Sequence, residues 1–175
     1  MAPPTKAQIA DLITRYIAYA RNDAKPDLKL IGDIVRFYGS FPNPGNWEWD
    51  DTPGKSVVSC FQGISFICWR FSSVNSSANA VDAVTLYKDL TLQNYNVWAS
   101  MTDLTKKENF RRDCSALTDT DTLKDYQQIT WDKKVQRAEI CEAAMTVTSA
   151  MYGSGTPQAD RSEALWNNRN ANQNA

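Results

Sequence analysis

The sequence predicts an all-α fold: a single helical core domain with an extended arm at each end. Apolar residues recur three and four positions apart in several segments, most clearly over 132–152, and this spacing is typical of amphipathic helices. Pro26, Gly39 and Gly153 interrupt the pattern where helices would end. A chain of 175 residues can bury one sizeable core, so a single domain is expected.

Two helices are predicted before residue 40. Thr5 and Gln8 form a capping-box pattern at the start of the first, which should span about 6–21. Its apolar face is predicted to contain Ile9, Leu12, Ile13, Tyr16, Ile17 and Ala20. Asp27 can cap the second helix, and Gly39 ends it. The second apolar stripe is predicted to contain Leu28, Ile31, Ile34, Val35 and Tyr38.

The middle of the chain is harder to assign. Residues 40–54 contain too many prolines and glycines for a regular element, so we predict a loop held by Trp47 and Trp49. The segment 56–73, "SVVSCFQGISFICWRFSS", has the local propensity of a strand, but a buried helix fits it equally well. A polar spacer over 72–80 then precedes a helix near 81–98, and a break near Thr91 remains open.

The last third combines charged and amphipathic segments. Residues 101–114, "MTDLTKKENFRRDC", are predicted to be a charged connection, and Asp121 or Thr122 should open a further helix. The helix over 132–152 follows, and the Asn-rich end should be mobile unless a partner orders it. The predicted organisation is an N-terminal arm over 1–5, a helical core over 6–153 and a flexible C-terminal arm over 154–175.

The composition argues against several function classes. The chain has no histidine, which removes the commonest general base, so we expect no enzyme and no cofactor. No apolar run approaches the roughly 20 residues of a membrane helix, so no membrane partner is expected. The N-terminus lacks the pattern of a secretory signal, so the four cysteines should be buried thiols rather than disulfides or metal ligands.

The net charge of −1 means that nucleic-acid binding would require a local basic surface. Two groups of basic residues could form such a surface: Lys106, Lys107, Arg111 and Arg112, then Lys133, Lys134 and Arg137. The alternative is that both groups are ordinary solvated charges, because acidic residues are interleaved with them. Arg70 stands inside an apolar run, where a buried charge needs a carboxylate or a phosphate. The alternatives are an arginine that extends its charged group to solvent, or one in a structural salt bridge. Trp98 and Trp131 occupy helical positions and are expected in the core.

Two stretches carry a family resemblance. Over 116–153 the shared features are Leu117-Thr118-Asp119, Leu123, Tyr126, Ile129-Thr130, Arg137-Ala138 and Tyr152-Gly153. Over 39–50 they are Gly39, Ser40, Pro42, Asn43, Gly45, Trp47 and Asp50. In this order they resemble the coat proteins of flexuous filamentous plant RNA viruses, especially the potyvirus type.

The resemblance implies an all-α coat-protein fold whose arms dock on identical subunits and which wraps single-stranded RNA in a helical filament. It would place the protein in virions and in the host cytoplasm. An RNA pocket of serine, arginine and aspartate falls on Ser40, Arg70 and either Asp125 or Asp132, with Trp47 and Trp49 fixing the adjacent loop. The alternative is a cytosolic helical adaptor that binds protein and has no RNA role.

Overall fold

The computed structural model describes residues 2–22, 28–42, 47, 49, 56–73, 77–113 and 160. Over these ranges the chain is helical and contains no strand, in agreement with the predicted all-α class. The helices are α1 (Lys6–Asn22), α2 (Leu28–Gly39), α3 (Ser56–Ser73), α4 (Ser77–Ser100) and α5 (Leu104–Asp113). The predicted helices after residue 120, including 132–152, lie outside the described residues.

α1 begins at the predicted capping box. The Thr5 backbone N–H donates to Gln8 Oε1 at 2.9 Å, and the Gln8 backbone N–H donates to Thr5 Oγ1 at 3.2 Å. These reciprocal bonds satisfy amides that have no partner inside the helix. The predicted apolar face is confirmed, because all its members are buried: Ile9, Leu12, Ile13, Tyr16, Ile17 and Ala20.

Contacts of α1 fix the directions of its neighbours. The Tyr16 and Phe61 rings lie 6.3 Å apart, and the Tyr19 hydroxyl is hydrogen-bonded to Ser56, so α3 runs antiparallel to α1. Towards α4, the Tyr16 hydroxyl donates to Asn94 Oδ1 at 3.1 Å.

Near the start of α1, Lys6 Nζ lies 3.1 Å from Asp82 Oδ1. Residues later in α1 therefore meet residues later in α4, and these two helices run parallel.

α2 runs parallel to α3. Ile34 packs at Gly63, and the Tyr38 ring lies 6.2 Å from the Phe66 ring. α1 and α4 thus point one way and α2 and α3 the other, which makes an up-down-down-up four-helix bundle. We call the end with Lys6, Gly39 and Ser73 the first end, and the opposite end, with Ser56 and Ser100, the second end.

α3 lies at the centre of the bundle, against α1, α2 and α4. Its buried residues cover most of the helix circumference: Ser59, Cys60, Phe61, Gly63, Ile64, Ser65, Ile67 and Cys68. Gln62 and Phe66, on the remaining side, are half-buried. A helix buried over so much of its surface has only a narrow polar side, so its sequence shows a weak helical period. The choice left open for 56–73 is therefore settled as helix.

The predicted apolar stripe of α2 is wrong in part. Ile34 and Tyr38 are buried, but Leu28 is 85% exposed and Val35 is 50% exposed. The helix instead turns Leu30 and the ring of Phe37 inward, next to Ile34 and Tyr38. Two overlapping sets of apolar residues in this segment have helical spacing. The set that contains both large rings, Phe37 and Tyr38, is the one that faces α1 and α3.

α4 is continuous past Thr91, which lies in the core, so the question of a break there is settled. Two predictions about this part of the chain are wrong. The ends of the predicted spacer over 72–80 belong to α3 and α4. The predicted charged connection contains α5. Asp103 caps it, because Asp103 Oδ1 accepts from the Lys106 backbone N–H at 3.0 Å, and Phe110 anchors it to the core.

Thr91→Val is expected to raise the free energy of unfolding by about 1 kcal/mol. The side chain of Thr91 is fully buried, and its hydroxyl has no hydrogen-bond partner among the described residues. Valine keeps the shape and removes a desolvated polar group. Urea unfolding of both proteins measures the difference, and an unchanged or lower midpoint would show that the hydroxyl is satisfied in solution.

No helix within the described ranges is both long and apolar enough to cross a membrane.

Candidate nucleic-acid interface

Ser40 lies at the first end, directly after α2. Its hydroxyl donates to the Phe37 carbonyl oxygen at 2.6 Å, and its backbone N–H approaches the same oxygen at 3.2 Å. Both bonds satisfy a carbonyl that the end of α2 leaves without an intrahelical partner. Ser40 therefore stabilises the helix end, and its hydroxyl oxygen can still accept a further hydrogen bond.

Arg70 occupies the last turn of α3, also at the first end, and is half-buried. Burial raises the pKa of the Tyr38 hydroxyl, and the positive charge of Arg70 offsets part of that rise. The guanidinium group is thus close enough to Tyr38 to act on it electrostatically. Because Tyr38 precedes Ser40 by only two positions, the fold brings the predicted serine and arginine to the same end of the bundle.

Trp47 attaches the segment that follows Ser40 to the helical bundle. The Trp47 indole Nε1 donates to the Ser59 carbonyl oxygen at 3.0 Å, and its ring lies 5.7 Å from that of Tyr38. Trp49 also packs against the core. A Cβ at Gly63 would lie 2.7 Å from Trp47 Cζ2, so only glycine leaves room for the indole. The sequence prediction did not single out Gly63, although a glycine inside an apolar run signals a close approach.

The basic residues of α5 lie at the second end. Lys106 is exposed, and Lys107 Nζ lies 4.4 Å from the centroid of the Trp98 ring. Arg111 Nε donates to Glu108 Oε2 at 2.9 Å, so its charge is partly neutralised. We call Lys106, Lys107 and Arg111 the α5 cationic surface; Arg112 belongs to the same helix.

Aromatic rings adjoin this surface. Tyr95 and Trp98 stand on one side of α4 with their ring centroids 5.8 Å apart and their planes tilted by 36°. Both side chains are half-buried, so the prediction of Trp98 as a core residue holds for only part of its ring. The sequence placed the aromatic and basic residues in separate segments, and the turn at 101–103 brings them together.

Those predicted RNA-binding residues that the structure describes do not form one surface. Ser40 and Arg70 lie at the first end, whereas Lys106 and Lys107 lie beyond the last turn of α4 at the second end. The two groups are separated by the part of α4 that lies between the level of Arg70 and Trp98. At 1.5 Å of rise per residue, that part is roughly 20 Å long. The remaining predicted residues lie outside the described residues: Asp125, Asp132, Lys133, Lys134 and Arg137.

Two cysteines are buried in α3. Cys60 and Cys68 are free thiols, and burial raises the pKa of each to about 12. They are therefore protonated at neutral pH and chemically inert, as the prediction of buried thiols requires for these two. Cys114 and Cys141 lie outside the described residues. In the described part of the chain, no group of three or more acidic or cysteine side chains is placed to hold a metal ion.

No protein-family model, curated protein or solved structure matches this chain. The resemblance to flexuous-virus coat proteins remains a prediction that depends on the residues quoted above.

Proposed function

We propose that the chain is a viral coat subunit that assembles into helical filaments around single-stranded RNA and binds the phosphate backbone without sequence preference. The observation that carries the proposal is the α5 cationic surface, where Lys107 lies on the Trp98 ring beside Tyr95. A cationic groove next to aromatic rings is the usual arrangement for sequence-tolerant binding of single strands.

The first end of the bundle supplies a second contact in this proposal. Arg70 lies half-buried in the last turn of the central helix, and a guanidinium group matches the geometry of a phosphate. Ser40 contributes a hydroxyl oxygen nearby. With cationic groups roughly 20 Å apart, one strand passing along the bundle would meet both ends of the same subunit.

A second candidate is the cytosolic adaptor, because α2 exposes apolar surface. Leu28 and Val35, seven residues apart, point away from the core. Exposed apolar side chains on one helix face favour contact with another protein. In a filament the same face would serve contacts between subunits, so RNA binding is the property that separates the two candidates.

The proposal predicts RNA affinity that falls steeply with salt. The affinity of the purified chain for oligouridylate and for an unrelated RNA of mixed sequence should be similar, and should decrease between about 50 and 200 mM salt as counterions are released. The double substitution Lys106→Gln/Lys107→Gln removes two charges and should reduce the slope of log affinity against log salt by about 1.4.

The control is Lys29→Gln, which removes an exposed lysine from the first turn of α2, outside the α5 cationic surface. Its slope should equal that of the wild type. A wild-type chain that binds no RNA at low salt and forms no filaments in negative-stain electron microscopy would exclude the coat function and favour the adaptor.

A further inference from the structure

We propose that the α4–α5 corner, formed by Tyr95, Trp98 and Lys107, stacks an unpaired nucleobase of single-stranded RNA. This inference rests on the proposed function, because it names the part of the RNA that this surface contacts. Phosphate binding by the α5 cationic surface requires no base. Base stacking and phosphate binding therefore make different predictions for a strand that lacks bases.

The geometry of the two rings favours the stacking of a base. Tyr95 and Trp98 lie nearly one turn apart on α4, with their centroids at 5.8 Å. Each is half-buried, so the rings are held by the bundle while part of their surface reaches solvent. A base that stacks on such a pair does not need to order the side chains first, which lowers the entropic cost of binding.

The indole nitrogen of Trp98 is the second argument. Trp47, the tryptophan that anchors the loop, satisfies its N–H by donating to the Ser59 carbonyl oxygen. The Nε1 of Trp98 is also buried, but it has no acceptor among the described residues. A buried N–H without an acceptor destabilises the fold, so packing alone does not explain an indole here. The buried N–H itself is out of reach of a ligand, but the indole presents a larger aromatic face than phenylalanine would, and a stacked base can use that face.

The position of Lys107 is the third argument. Its ammonium group lies over the Trp98 ring, 4.4 Å from the centroid. Lys107 and Trp98 are both half-buried, and a cation–π contact of this kind is in general weaker than the stacking of a base on an aromatic ring. A base can therefore displace the ammonium group, and the flexible side chain of Lys107 can then reach a flanking phosphate. The corner thus offers a ring for the base and a cation for its backbone.

The test compares two fluorescently labelled strands on the full-length chain: oligouridylate, and an abasic oligomer with the same number of phosphates. The wild type should bind oligouridylate more tightly by roughly 5- to 150-fold, the effect of one stacked base. Tyr95→Leu and Trp98→Leu should each reduce this preference and leave the salt slope unchanged. Tyr95→Phe and Trp98→Phe keep a ring and should retain most of the preference.

Circular dichroism establishes which variants fold, and Tyr95→Leu provides the test if Trp98→Leu does not fold. Equal affinity of the wild type for both strands would overturn base stacking and leave the proposed function standing. A preference that persists in the leucine variants would place the stacking elsewhere. A wild type that binds neither strand would overturn the proposed function and the stacking together.

Discussion

Gly63→Ala is expected to lower the free energy of unfolding by about 1–3 kcal/mol. The added Cβ would lie 2.6 Å from Ile34 Cγ2 and 2.7 Å from Trp47 Cζ2. Neither atom can easily move, because Ile34 is fully buried and the Trp47 indole is bonded to Ser59. Alanine gains about 1 kcal/mol over glycine in helix propensity, and the overlap outweighs that gain. Urea unfolding monitored by circular dichroism measures the loss.

Gly32→Ala is the matched control. This glycine also lies inside a helix, but an added Cβ there meets nothing within 4 Å. We expect Gly32→Ala to raise the free energy of unfolding by about 0.5–1 kcal/mol. The cost of Gly63→Ala should also shrink when Trp47 is replaced by leucine. An equal cost with and without the indole would mean that Trp47 does not pack over Gly63.

Tyr16→Phe is expected to lower the free energy of unfolding by about 1–3 kcal/mol. The Tyr16 hydroxyl donates to Asn94 Oδ1 at 3.1 Å, and both residues are fully buried. Phenylalanine keeps the ring contact with Phe61 but leaves the Asn94 oxygen without this donor. The same urea titration measures the effect.

Tyr19→Phe is the control for Tyr16→Phe, because the hydroxyl of Tyr19 is also hydrogen-bonded, to Ser56, but at a half-buried position. Water can replace that bond, so the loss should be smaller. Tyr16→Phe combined with Asn94→Leu should cost less than the sum of the two single changes, because both partners are then apolar. Equal losses at Tyr16 and Tyr19 would contradict the buried pairing with Asn94.

The sequence predicted structure best where the signal was local. α1 follows from the Thr5 and Gln8 cap and from one unambiguous apolar face. α3 could not be assigned because three helices pack on it, and burial on most sides weakens the helical period. α5 was missed because it buries little besides Phe110, so its cap at Asp103 was the main helical signal.

The candidate site was also predictable only where the signal was local to one segment. Arg70 was singled out from its own segment and Ser40 through the family resemblance, and the fold places both at the first end. The contact between Lys107 and Trp98 depends on how α5 turns back after α4, which no pattern in either segment specifies. The wrong stripe on α2 has a similar cause, since Leu28 and Leu30 both begin acceptable apolar faces and tertiary packing decides between them.

The parallel course of α2 and α3 has a consequence for how the bundle folds. α1 with α2, and α3 with α4, are antiparallel hairpins built from contacts close in sequence, so each can form early and rapidly. Joining them requires the connection over 40–55 to span the bundle, which is the slower, non-local step. Trp47 contacts Tyr38 of one hairpin and Ser59 of the other, so its indole adds a contact that forms only when the two halves associate.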